Sequence, residues 1–317
     1  MYRIAFLLIL TSYLMVSCRQ ESKPFHPESY TIDYRTKPLT IDGRIDDAAW
    51  DEASWSSGFV DIQGVHQDKP LFDTRVKMLW DRHYLYIAAF LEEPDLNASL
   101  LERDAIIYRD NDFEVFIDPD DDALNYYEYE VNAYGTVMDL FLDKPYNQGG
   151  RADLSWDLRN LQSAVGRQGT LNDPSDRDTS WSVELAIPWS AFTADEEIPP
   201  ENGDIWRMNF SRVQWAYDTF AGKYVKLDTS EKNWVWSAMG EINMHIPSRW
   251  GYVTFNGQPE IADDEVPEYW IWSGYDAGKT DTAWDSTFRM LREAGITGLL
   301  LQSGPEGLQK VIPLATT

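Results

Sequence analysis

Between Asp112 and Asp118 the chain alternates: Phe113, Val115 and Ile117 stand against Asp112, Glu114 and Phe116. That period of two is the pattern of a strand with one face in a core and the other free for chemistry. A run of Asp, Pro and Asn follows and reads as a turn, after which Tyr127, Tyr129 and Val131 alternate with Glu128, Glu130 and Asn132. The spacing predicts a two-strand unit with a carboxylate-rich loop at one end. Thr74 to Trp80 and Tyr84 to Leu91, joined by Asp81-Arg82-His83, predict a hairpin. Further strands are expected at Tyr30 to Tyr34, Val137 to Leu142, Leu161 to Val165, Ser180 to Ile187, Trp206 to Trp215, Trp234 to Ser237 and Gly251 to Phe255. A short helix capped by Asp46, with Trp50 turned to the core, is expected to end near Trp55. Many short strands with turn signals and little helix predict an all-β fold, an antiparallel β-sandwich of immunoglobulin or jelly-roll kind.

The pattern changes near the C-terminus. Residues 258–268, with Pro259, Asp263, Asp264 and Pro267, read as a linker. Beyond it, Tyr269-Trp-Ile-Trp-Ser-Gly predicts a strand, and Thr280 to Ala294 puts Trp284, Phe288 and Leu291 on one helical face. Ile296-Thr-Gly-Leu-Leu-Leu predicts a second strand, and a further helix is expected from about Glu306. Strand, helix, strand, helix is how a (β/α) barrel or a doubly wound sheet begins, and residues 269–317, expected to be a short α/β fragment, resemble the start of a hydrolase-type barrel.

The first 18 residues stand apart. Met1-Tyr-Arg precedes an apolar run from Ile4 to Val16 and then Ser17-Cys18, too short to span a membrane and remain there. The leader resembles a bacterial lipoprotein signal, in which lipidation of Cys18 would anchor the mature chain outside the cytoplasm, in the periplasm or at the cell surface. Cys18 is the only cysteine, so no internal disulfide or cysteine metal cluster can form. Residues 19–29 read as a tether, leaving 30–257 for the sandwich. A net charge of −26 excludes phosphate-binding partners such as nucleic acid, and it confines membrane contact to the lipid anchor. The 14 Trp and 17 Tyr exceed what filling a core needs and leave rings for stacking on a ligand.

Around the central pair, Glu114, Glu130 and Asn132 supply acceptors and an amide, Arg109 a forked donor, and Tyr108 a flat apolar face with a hydroxyl. Those groups suit a sugar ring, with its hydroxyl edge and weakly apolar faces. They equally suit a plain solvated strand.

Four separated stretches occur in register: Ile41-Asp-Gly-Arg-Ile-Asp-Asp-Ala-Ala-Trp, Asp112-Phe-Glu-Val-Phe-Ile-Asp-Pro, Tyr126-Tyr-Glu-Tyr-Glu-Val-Asn and Met244-His-Ile-Pro-Ser-Arg-Trp-Gly-Tyr-Val. Together they resemble family 9 carbohydrate-binding modules, from about Tyr30 to Phe255. The resemblance implies a β-sandwich that binds the end of an oligo- or polysaccharide chain, often beside a glycoside hydrolase domain. In that family a sugar lies between two aromatic rings. The resemblance places Tyr108, six residues before Glu114, as one ring and Glu114 as the matching glutamate. It places Glu130 where members can hold arginine, and Met244 at the second ring, with Trp236 or His245 as substitutes.

Other constellations remain open. Asp118, Asp120 and Asp122 can hold calcium or form a solvated turn. Glu114 and Glu130 have the residue types of a glycosidase pair. Haem is a further alternative through Met244 and His245, although neighbours on one strand would face opposite ways. A structural spacer of a glycoside hydrolase, without ligand, is a further alternative. No Ser-His-Asp order, phosphate loop or dinucleotide fingerprint is present, and four scattered histidines do not make a zinc site.

Overall fold

The computed structural model describes residues 26–192, 198–257, 270–274, 279–293 and 298–302. Cys18 and its leader, the 258–268 linker and the helix expected from Glu306 lie outside them. The chain divides into two units, 1–258 and 259–317.

The first unit holds fifteen strands: β1 Ser29–Tyr34, β2 Val60–Asp61, β3 Thr74–Trp80, β4 Tyr84–Glu92, β5 Asp112–Asp118, β6 Tyr126–Asn132, β7 Val137–Leu142, β8 Ala152–Asp153, β9 Gln162–Gln168, β10 Ser180–Pro188, β11 Ile205–Gln214, β12 Tyr217–Phe220, β13 Lys223–Lys226, β14 Lys232–Val235 and β15 Gly251–Asn256. Thirteen form one mixed sheet, ordered β8-β7-β6-β5-β11-β15-β1-β3-β4-β10-β9, with β14 attached to β11 and β2 attached to β14. The sheet curls so that its two halves pack face to face. Phe113, Val115, Tyr127 and Phe210 from one half share a core with Ile87, Val183 and Leu185 from the other. Along one margin Tyr129 Oη and Ser163 Oγ meet at 2.6 Å, and Arg167 donates to the Ala133 carbonyl at 2.8 Å, so β6 and β9 are tied across the sandwich.

The β-sandwich therefore stands, with one departure from the antiparallel expectation. β1 runs parallel to both β15 and β3. Among the described residues β1 is the strand that joins the two halves, lying between β15 and β3. The expected helix near Trp50 is a single 3-10 turn, Trp50–Glu52, without a side-chain cap from Asp46. Buried Glu184 instead holds the preceding coil, accepting from the Asp42 and Gly43 amides at 3.0 and 2.8 Å and from Trp50 Nε1 at 2.7 Å. Those bonds fix the backbone where a longer helix would have to start.

In the second unit β16 Trp270–Gly274 pairs in parallel with β17 Gly298–Gln302, and α1 Asp281–Glu293 lies between them in sequence. Trp284 and Phe288, one turn apart, stack with ring centroids at 5.7 Å. The strand-helix-strand order is the one expected.

Candidate functional site

β5 and β6 are buried on both faces, so the face turned from the main core is not a solvated surface. Register sets Asp112 opposite Asn132, Glu114 opposite Glu130 and Phe116 opposite Glu128. A second apolar cluster covers this face, built from Phe116, Tyr126, Met138, Leu140, Met244 and Trp250 among others. The cover is incomplete. It leaves a cavity of about 520 Å³ whose walls include Tyr108, Glu114, Phe116, Glu128, Glu130, Tyr146, Met244 and His245.

Two rings stand at this cleft with free faces: Tyr108 is 43% and Tyr146 47% exposed. Tyr108 is set by its own backbone. Its amide donates to Glu130 Oε2 at 3.0 Å, and Trp215 Nε1 donates to its carbonyl at 2.8 Å. Tyr146 belongs to a 3-10 turn after β7 and meets His245 edge-on at 4.5 Å. His245 in turn hydrogen-bonds Tyr126 Oη through Nδ1 at 3.1 Å. Burial pushes the Tyr146 hydroxyl up, helped by Glu128, Glu130 and Tyr108 nearby.

Asp104, Glu114, Glu128, Glu130 and Glu231 all line the cleft, and among the described residues no lysine or arginine does. Carboxylates gathered in a dry site raise one another's affinity for protons. Burial first, then Glu130, pushes Glu114 up to about 8. Burial, then Glu114, does the same to Glu128. Glu130 and Asp112 also move upward, burial again leading. Burial lowers His245 to about 4, so it is an uncharged wall at neutral pH.

Of the residues singled out from the sequence, Tyr108, Glu114, Glu130, Met244 and His245 come together here. The others do not. Asn132 is fully buried: its amide nitrogen donates to the Leu100 carbonyl and Asp110, and its oxygen accepts from the Tyr134 and Thr136 amides. It holds a loop and has no group to spare for a ligand. Trp236 packs in the main core against Phe210 with centroids at 5.8 Å. Arg109 is exposed outside the cleft, its carbonyl taken by Lys226 Nζ. Met244 and His245 lie in a loop and both line the cavity, so strand alternation does not separate them. One ring nitrogen of His245 serves Tyr126, and the other faces Glu128 at 4.0 Å.

Asp118, Asp120 and Asp122 do converge, with one oxygen of each within 4.8 Å of the others. Oxygens of these carboxylates accept from amides of their own loop, Asp118 from Ala123, Asp120 from Asp122 and Asp122 from Leu124. Glu114 and Glu130 stand side by side on one wall, whereas an acid and its nucleophile must flank the bond they cleave. Sequence reasoning missed Tyr146 and Glu128. Glu128 shares the parity of Glu130 and was legible from it; Tyr146 sits in a loop whose path only the tertiary fold sets.

Residues 41–258 match the carbohydrate family 9 binding domain-like family. The chain is 29% identical to endo-1,4-beta-xylanase A of Thermoanaerobacterium saccharolyticum over 52% of its length, and 27% identical to exoglucanase XynX of Acetivibrio thermocellus over 48%. It spans only 12% of the length of either relative. A Bacteroides uniformis protein, provisionally described as carbohydrate-binding, shares the fold at a TM-score of 0.53 and 15% identity, with 73% of this chain and all of that one covered. A family 9 carbohydrate-binding module of Caldicellulosiruptor kristjanssonii, solved with cellotriose, aligns at a TM-score of 0.48 and 18% identity over 74% of this chain and 97% of its own.

Proposed function

The chain belongs to the carbohydrate family 9 binding domain-like family, and from that premise we propose that the cleft beside β5 and β6 is its saccharide site. The observation that carries the proposal is the pair of half-exposed rings, Tyr108 and Tyr146, at a cavity walled by hydrogen-bonding carboxyl groups. In this reading both rings stack on the ring faces of a sugar, while Glu114, Glu128 and Glu130 take its hydroxyls. Tyr146 then fills the role that the resemblance assigned to position 244. A xylanase and an exoglucanase among the relatives support an oligo- or polysaccharide ligand and a place in glycan degradation. The domain's part there is holding substrate, with the chemistry left to a catalytic neighbour of barrel type. Anchoring outside the cytoplasm through Cys18 belongs to the same proposal, supported by the apolar leader before it; palmitate labelling that is lost in Cys18→Ala tests it. Calcium at Asp118, Asp120 and Asp122 is supported by the convergence of their oxygens.

Isothermal titration against a panel of mono- and oligosaccharides tests the site. Two ring faces and a few exposed hydrogen bonds correspond to dissociation constants of roughly micromolar to millimolar. Tyr108→Ala and Tyr146→Ala are each expected to weaken binding about tenfold, a loss of about 1.4 kcal/mol, with unchanged melting curves. Affinity surviving both substitutions would place the sugar elsewhere.

A further inference from the structure

Beneath the rings lies a group of side chains that sugar recognition alone does not require. Asp112, Glu114 and Glu130 each place a carboxylate oxygen within 4.8 Å of the other two. Asp112 and Glu114 are two residues apart on β5, and Glu130 is directly opposite Glu114 on β6. Like charges directly opposed across a strand pair are destabilising, and a buried carboxylate without a partner costs more. Here all three are at most 5% exposed, and none takes part in an ion pair among the described residues.

Hydrogen bonding satisfies only part of the group. Asp112 Oδ1 accepts from the Val213 amide at 3.0 Å, and Glu130 Oε2 from the Tyr108 amide at 3.0 Å. Asp112 Oδ2 has no partner. Nor has Oε2 of Glu128, a fourth carboxyl on the cleft wall that is 5% exposed and does not belong to the triad. Asp112 Oδ2, buried and unpaired in a group of three converging carboxyl groups, lacks a donor or a positive charge.

We propose that Asp112, Glu114 and Glu130 bind a divalent cation of the calcium class beside the cleft, whose wall Glu114, Glu128 and Glu130 share. The donor set is all oxygen, which suits a hard cation and not the metals that select imidazole or thiolate. Calcium accepts six to eight oxygens at about 2.3–2.6 Å. Three carboxylates leave positions for water, or for hydroxyl groups of a molecule in the cleft. The site stands whether or not a sugar binds above it.

The test uses the full chain, stripped with chelator and without sugar, titrated by calorimetry with calcium chloride and in a second arm with magnesium chloride. Saturable calcium binding, a melting temperature raised by calcium, and weaker magnesium binding are expected. Glu130→Gln and Asp112→Asn should each weaken calcium at least tenfold, while Asp120→Asn in the surface loop leaves this binding in place. Melting curves in chelator show whether each variant folds; should one fail to fold, the other decides by the same criterion. Absence of calcium binding by the stripped chain overturns the proposal, as does binding that survives Glu130→Gln and Asp112→Asn but disappears in Asp120→Asn. Saccharide titrations of both the stripped and the calcium-loaded chain separate the two readings: sugar heat without any calcium site refutes this inference alone, and a calcium site without sugar heat in either form refutes the saccharide reading alone.

Discussion

Two buried carboxylate sites lie on neighbouring parts of the same sheet, and they are finished differently. At the first, Glu93 accepts from Arg212 Nη2 at 3.0 Å, Gln214 Nε2 at 3.1 Å and Asn111 Nδ2 at 3.3 Å. Arg212, itself buried, also bonds Thr74 and lies over the rings of Phe72 and Trp234. Charge, hydrogen bonds and packing all close within the protein. At the second, Glu114, Glu128 and Glu130 share one wall with Asp112 beside them, no lysine or arginine among the described residues lines it, and Asp112 Oδ2 and Glu128 Oε2 face no donor. The contrast separates burial that stabilises a fold from burial that prepares a site: the first leaves no valence for a visitor, and the second is completed only by one.

The largest test breaks the closed site. Arg212→Met leaves Glu93 buried without its counter-charge and should cost roughly 3–5 kcal/mol in urea denaturation. A loss below about 1 kcal/mol would mean that the pair does not neutralise itself as its geometry implies.

The next test bears on the dryness of the open site. His245 is held among Tyr126, Glu128 and Tyr146, and burial lowers it from the ordinary 6.5 to about 4. The unfolded chain then takes a proton near pH 6.5 that the folded chain refuses until about 4. Stability is undiminished by this residue above the upper value and falls as pH descends through the window. Relative to His245→Gln, the native chain should lose roughly 3 kcal/mol between pH 7 and pH 4. Parallel stability curves for the two proteins would mean that water reaches the ring.

The smallest effect sharpens the comparison from the other side. In chelator at neutral pH, Glu114→Gln removes one of two opposed carboxyl groups and should leave the protein equally stable or stabilise it by up to about 1 kcal/mol, read from its melting temperature. Destabilisation would place Glu114 with Glu93 as a structural group.

Alternation made β5 and β6 legible because one of their faces belongs to a continuous core, and Phe113, Val115, Tyr127 and Tyr129 had no other place to go. The same signal could not tell solvent from a covered cleft on the opposite face. That difference depends on Met244, Trp250 and Tyr126, which arrive from distant parts of the chain. Asn132 has the parity of Glu130, yet its amide is consumed by a turn. Trp236 was a candidate by type alone, and packing against Phe210 removed it. The β12–β13 hairpin escaped notice since Asp218, Thr219, Lys223 and Lys226 break any alternation, and its turn is set by Ala221 and Gly222 at positive φ. Tyr146 illustrates the limit: a loop aromatic carries no period, so only the path of the loop assigns it a face.

The parallel pairing of β1 with β15 has a mechanical consequence. Five register pairs, from Ser29 opposite Tyr252 to Asp33 opposite Asn256, join the strand by which the chain enters the sandwich to the strand by which it leaves. Tension applied through the two ends pulls these strands in opposite directions along their own axes. Their hydrogen bonds lie across that load and share it, so they must yield together, where a hairpin pulled from its open end would yield one bond at a time. The sandwich is built to transmit force along the chain without coming apart.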